Sequence, residues 1–150
     1  MNIVLYQPDI PQNTGSFVRL CACLGLPLHI IEPCGFILDD KKLARVAMDY
    51  SDKAEIIRHP SFKSFMEHKG EKGRLILLTT KSSEAYTECH YHKHDFLLLG
   101  RESSGVPEDV HAAADKRVTI PMHENARSLN VVNAASMVVG EALRQTKWKA

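Results

Sequence analysis

What this 150-residue chain lacks already narrows its class. It has no apolar run approaching the roughly 20 residues needed to cross a bilayer, so a membrane-spanning reading is set aside. Its four cysteines, Cys21, Cys23, Cys34 and Cys89, match neither a zinc ribbon nor a secreted disulfide framework and are read as reduced intracellular thiols. The opening Asn2-Ile3-Val4-Leu5-Tyr6 lacks the basic start, long apolar stretch and cleavage site of a signal peptide. A cytoplasmic protein with no membrane partner is expected. A net charge of +1 provides no chain-wide basic field, which excludes indiscriminate electrostatic binding to nucleic acid and requires any RNA contact to be local. Two short basic stretches, Lys41, Lys42, Arg45 and Arg144, Lys147, Trp148, Lys149, are read as solvated surface.

Against these absences stands an ordinary globular composition, 44% hydrophobic and 25% charged, at a length that suits one domain over residues 1–150. Apolar runs at Ile3–Tyr6, Leu28–Ile31 and Phe96–Leu99, a weaker one at Ala54–Ile57, the apolar and Thr-rich Arg74–Thr80 and a last run at Val118–Ile120 predict strands. Between them, Phe17, Leu20, Cys21 and Leu24 recur at helical spacing until Gly25. Ser61 to Glu67 predicts a short helix closed by Gly70, and a long helix is predicted from Ser128 to about Lys147. Such alternation specifies an α/β fold with a mostly parallel sheet flanked by helices, whose ligands bind beyond the carboxyl ends of the strands.

Three loops carry candidate chemistry. In the first, Asn13-Thr14-Gly15-Ser16 opens a helix bearing Arg19, which suits either anion binding at a helix N-terminus or plain capping by Asn13 or Thr14. The second, Gly100-Arg101-Glu102-Ser103-Ser104-Gly105-Val106-Pro107, has the glycine spacing of a phosphate-binding loop but continues with Val-Pro instead of Lys-Ser or Lys-Thr, so that reading fails. Its glycines still permit close backbone approach to a ligand. In the third, Ile120, Met122 and Leu129 suit the walls of an adenine pocket or ordinary core, and Ser128, Asn130 and Asn133 lead into the last helix. The alternating histidines of Cys89-His90-Tyr91-His92-Lys93-His94 lack the partner spacing of a tetrahedral metal set, and the segment is read as a solvated loop.

Together, in this order and spacing, the three loops resemble the signature motifs of the SPOUT superfamily of methyltransferases, most closely its small TrmL/YibK (CspR-like) tRNA 2′-O-methyltransferases. The resemblance runs from Asn2-Ile3-Val4-Leu5-Tyr6 through Ile31-Glu32-Pro33 and Asp49-Tyr50 to the last helix. It implies an α/β-knot fold with a C-terminal trefoil knot, which the general rule against knotted chains would have excluded. It further implies a homodimer packed through the first and last helices, and S-adenosyl-L-methionine held in a bent shape, with no metal. Leu78, Gly100, Ile120 and Ser128 then contact this donor, with Thr79, Met122 and Leu129 beside them. Arg19 is the catalytic arginine and Glu102 helps form the cofactor site. Asn13 and Asn133 bind substrate or organise the site, Asn133 by holding the knot loops.

The implied substrate is the ribose of the wobble nucleotide, position 34, of tRNA, carrying cytidine or a modified uridine; DNA is not expected as a partner. Two departures stand out: Ser16 replaces a second Asn of the family, and Gly140 replaces the Tyr usual in close relatives. Arg101, where some relatives have Pro, reads as an accepted variant. The alternatives are a non-catalytic dimeric protein that binds RNA or nucleotide, and a 2′-O-methyltransferase of another RNA such as rRNA. Because a guanidinium rarely gives up its proton, Arg19 is expected to hold a phosphate and stabilise the developing alkoxide instead of acting as the base.

Overall fold

The apolar runs of the sequence pair side by side in one parallel sheet. The computed structural model describes residues 1–39, 41, 44–45 and 50–149; Lys42 of the first basic stretch and Asp49 of the family motif lie outside the described residues. In chain order the elements are β1 (Asn2–Tyr6), α1 (Pro11–Leu24), β2 (Leu28–Ile31), a 3-10 turn (Ser51–Lys53) and β3 (Ile56–His59). They continue with α2 (Phe62–Lys69), β4 (Leu75–Leu78), β5 (Phe96–Leu99), α3 (Glu108–Ala113), β6 (Lys116–Val118) and α4 (Val131–Gln145). The sheet order is β3-β2-β1-β5-β4-β6, and every recorded pairing is parallel.

Strand residues alternate between two layers of core, which is why β1, β2 and β5 tolerate scarcely a polar position. Ile3, Leu5, Leu28, Ile30, Leu97 and Leu99 pack toward Phe17, Val18 and Cys21 of α1 and Ala135, Val138, Val139 and Ala142 of α4. On the other face Val4, Ile31, Leu75, Leu77 and Leu98 meet Phe65 of α2 and Val110 of α3. The α4 positions recur at helical spacing, so one stripe of that helix is buried, with Val131, Val132, Ala134 and Leu143 partly buried against the same core. Phe17 and Phe65 are almost fully buried, each contributing about 1.5–3 kcal/mol of apolar burial.

Several boundaries differ from the sequence pattern for identifiable reasons. Helix α1 starts at Pro11, with Ile10 as an extended N-cap and no side-chain capping bond, so Asn13 to Ser16 are helical residues and neither Asn13 nor Thr14 is the cap. Proline at the first helical position has no N–H to leave unsatisfied. Gly25 ends the helix in the left-handed region, φ 62°, as expected. Strand β3 lies two residues later than Ala54–Ile57 because it runs on to His59, whose ring is buried beside His29. Strand β6 ends at Val118 where Ile120 was expected; beyond it Thr119 makes a single bridge to Ala85. Helix α4 begins at Val131, because the Asn130 side chain caps it by accepting from the Val132 and Asn133 N–H groups. Among the described residues, no helix is long and apolar enough to cross a membrane.

Candidate active site

The carboxyl ends of β1, β5, β4 and β6 lie side by side, and the loops that follow β5, β4 and β6, with the start of α1, surround a cavity of about 510 Å³. That volume is in the range of cofactor pockets. Leu78 and Thr79 come from the end of β4, Gly100 and Glu102 from the loop after β5, and Ile120, Met122, Ser128 and Leu129 from the chain between β6 and α4. Leu129 is 43% exposed and lines the cavity from outside the core. The Thr79 N–H donates to the Val118 carbonyl and its hydroxyl accepts from the Lys81 N–H, fixing the turn after β4.

A chain of polar contacts ties the three motif loops together. One Glu102 oxygen accepts the Asp9 N–H at 2.8 Å, and the other accepts the Asn13 side-chain amide at 3.1 Å. Asn13 in turn accepts from the Asn130 side-chain amide at 3.2 Å, and Asn130 caps α4. Glu102 is thereby an organiser whose carboxylate is engaged by N–H donors of the first loop, while it also lines the cavity. The carboxylate of Asp9 accepts from Arg101 Nε at 3.1 Å and from the Ser103 N–H and hydroxyl. Hydrogen bonds from Arg101 and Ser103 hold the Asp9 carboxyl down to about 2. Arg101 also reaches the Gln7 side chain, so this residue clamps the loop after β1 to the loop after β5.

The glycines of the second loop serve this geometry. Arg101 and Gly105 exchange backbone hydrogen bonds of 2.9 and 2.8 Å, closing a tight turn. A Cβ on Gly100 would stand 2.7 Å from the Gly105 carbonyl carbon, and Gly105 itself has φ +69°. Both positions exclude a side chain, one by contact and one by backbone conformation.

Of the residues expected at the site, Asn13, Leu78, Thr79, Gly100, Glu102, Ile120, Met122, Ser128 and Leu129 line the cavity. Arg19 and Asn133 do not. Arg19 is exposed on α1 with its guanidinium 5.2 Å from the Tyr50 ring centroid. Asn133 is exposed on the first turn of α4, and the side chain that ties that end of the helix to the first loop is that of Asn130. An Asn immediately before an apolar helical run is a capping signal, one that the expectation of a helix from Ser128 passes over at Asn130. Nothing local marked Arg101 and Asp9, because their partnership spans 92 positions. In the histidine-rich segment, Cys89 and Tyr91 are buried while His90, His92 and His94 are exposed, so it forms a half-buried edge and not a wholly solvated loop.

The size and mixed lining of the cavity suit a nucleoside-containing cofactor. Apolar side chains from three loops offer flat walls to a base, and the turns at Thr79 and Gly100 bring backbone close to the ligand space. Comparison with known proteins places the chain among RNA methyltransferases. The chain is 56% identical over 144 residues to a protein of Beijerinckia indica named tRNA (cytidine(34)-2′-O)-methyltransferase, covering 95% of this chain and 90% of that one. A solved structure described as giving structural insights into the 2-OH methylation of C/U34 on tRNA superposes with a TM-score of 0.90 at 40% identity, covering 96% of this chain and 94% of the other. The SpoU methyltransferase AviRb from Streptomyces viridochromogenes, solved in complex with AdoMet, superposes with a TM-score of 0.85 at 26% identity, over 97% of this chain and 60% of AviRb. The model of the SpoU rRNA methylase family matches residues 1–140, and the chain belongs to that family.

Proposed function

We propose that this protein is a cytoplasmic S-adenosylmethionine-dependent tRNA methyltransferase that modifies the ribose 2′-hydroxyl of nucleotide 34, a cytidine or modified uridine, and works as a homodimer. The observation that carries the reading is the cavity whose motif loops are joined through Asn13, Glu102 and Asn130. Leu78, Thr79, Gly100, Ile120, Met122, Ser128 and Leu129 hold the cofactor, and Glu102 and Asn13 keep their loops in register. When bound, the cofactor supplies a sulfonium methyl whose leaving group is neutral. The remaining work is to align the hydroxyl and ease loss of its proton. Arg19 grips the neighbouring phosphate and stabilises the developing alkoxide by charge-assisted hydrogen bonds, while the proton passes to phosphate or water.

The homodimer is supported by Arg19, which does not line the cavity of its own chain. The trefoil knot belongs to the same reading. Its support is the chain's membership of the SpoU family and its resemblance to the SPOUT motifs. The deciding experiment incubates the protein with labelled methyl donor and bulk tRNA and maps the modified nucleotide. Label on the ribose of nucleotide 34 is expected. Label on a base, at another tRNA position or on ribosomal RNA alone rejects the assignment.

A further inference from the structure

The cavity between the motif loops has one cation in its wall that the chain itself leaves unpaired. Its titratable lining residues are Lys81, Arg101, Glu102 and His111. Arg101 is held by the Asp9 carboxylate, 3.1 Å from its Nε. Both Glu102 oxygens accept N–H groups, from Asp9 and from Asn13. The His111 ring accepts at Nδ1 from Arg117 Nε at 3.1 Å, so that nitrogen carries no proton. Glu84, three positions beyond Lys81, pairs with Lys116 at 3.4 Å. Lys81 is exposed, and among the described residues its ammonium makes no ion pair or hydrogen bond. Its backbone is nevertheless held. The Lys81 N–H donates to the Thr79 hydroxyl at 3.1 Å, and the Thr79 N–H donates to the Val118 carbonyl, so the residue is kept at the exposed rim where β4 ends.

The ligand read for this cavity has a single anionic group. S-adenosylmethionine carries a positive sulfonium, a positive α-ammonium and a carboxylate at the end of its methionine tail. An uncompensated ammonium in the wall is repelled by the first two and attracted by the third. A carboxylate is also costly to take out of water, whereas an adenine suits apolar walls, so the tail belongs at the exposed rim where Lys81 stands. We propose that Lys81 is a cofactor-binding residue whose ammonium pairs with the methionine carboxylate at that rim. The inference rests on the reading of the cavity as the S-adenosylmethionine site.

The test is calorimetry on the full-length protein and its Lys81→Gln and Lys81→Arg variants with two ligands. S-adenosylhomocysteine keeps the amino-acid tail, and methylthioadenosine has the nucleoside and the sulfur without it. Lys81→Gln is expected to weaken S-adenosylhomocysteine about 2- to 5-fold at low salt, the range of a solvent-exposed pair, and to leave methylthioadenosine uptake and melting temperature unchanged. Lys81→Arg is expected to keep parental affinity for both. At about 1 M salt, where the screening length is about 3 Å, the gap between parent and Lys81→Gln is expected to close. Parental affinity of Lys81→Gln for S-adenosylhomocysteine at low salt overturns the proposal, and so does a gap that salt does not close. An equal loss for both ligands, or a loss in Lys81→Arg as large as in Lys81→Gln, overturns it as well, because neither depends on the charge meeting the tail. A raised KM for tRNA with unchanged product affinity assigns the lysine to RNA and also rejects it. If the parent protein takes up neither ligand, the cofactor reading falls and the inference with it; if parent and variants bind both ligands alike, only the inference falls.

Discussion

Gly100 and Gly105 touch backbone to backbone at the mouth of the cavity, and this contact makes the loop after β5 sensitive to a single methyl group. Gly100→Ala places a Cβ 2.7 Å from the Gly105 carbonyl carbon, where the obstacle is backbone and cannot rotate away. Overpacking of this kind costs about 1–3 kcal/mol. We expect urea unfolding to show that loss and calorimetry with S-adenosylhomocysteine to show weakened uptake. Glu102 is sensitive for a different reason: it accepts from Asp9 and Asn13 on separate oxygens. In Glu102→Gln one oxygen remains, and the new amide faces an N–H donor. A loss of about 1–3 kcal/mol is expected from the unpaired donor, read as a lowered urea midpoint with unchanged m-value. The motif places Gly100 and Glu102 at the cofactor site; in the structure Gly100 makes room for its own loop, and the Glu102 carboxylate meets N–H donors of the chain.

At the scale of elements, α4 carries both the strongest local signal and the clearest departure from the family pattern. Its buried stripe of Ala135, Val138, Val139 and Ala142 was legible as a period, while its first residue was decided by the Asn130 cap. Gly140 stands exposed in its interior, and a Cβ there would meet nothing within 4 Å. Glycine in a helix costs about 0.5–1 kcal/mol relative to alanine, so Gly140→Ala is expected to raise stability by that amount in thermal or urea unfolding. No contact within the described chain requires glycine at this position. Strand β3 shows the reverse case. Its apolar signal is weak because one inward residue is His59, which becomes a core residue only by bonding His29 across the strand pair.

At the scale of the whole molecule, that histidine pair sets an acid limit on the fold. His29 and His59 are 2% and 3% exposed, and their ring nitrogens lie 2.9 Å apart, one donating and one accepting. Burial, then the neighbouring His59, His68 and Lys72, lowers His29 to about 4 from an ordinary 6.5, and burial with His68 lowers His59. The unfolded chain therefore binds more protons than the folded one between these values. Stability is full above about 6.5 and is lost as the pH falls toward 4. Melting temperature is expected to fall through this window, and replacing the pair by His29→Phe with His59→Leu is expected to flatten the fall. An equal decline in both proteins would show that other groups govern acid unfolding.

The sequence by itself determined the class of fold and the order of its parts, because strands buried on both faces must be continuous apolar runs. Ile3–Tyr6 and Phe96–Leu99 are such runs, and Leu28–Ile31 departs from one only at His29. It also singled out three loops, since their turn residues are local, and residues of all three line one cavity. Only the tertiary structure decided how those loops meet: Arg101 with Asp9, Glu102 with Asn13, Asn130 in the place expected of Asn133, and Arg19 outside the cavity and against Tyr50. Periodicity reports which face of an element is buried, not which distant residue it will face. The Arg101, Glu102 and Asn130 contacts join residues about 90 positions apart or more, and only closure of the sheet brings them together.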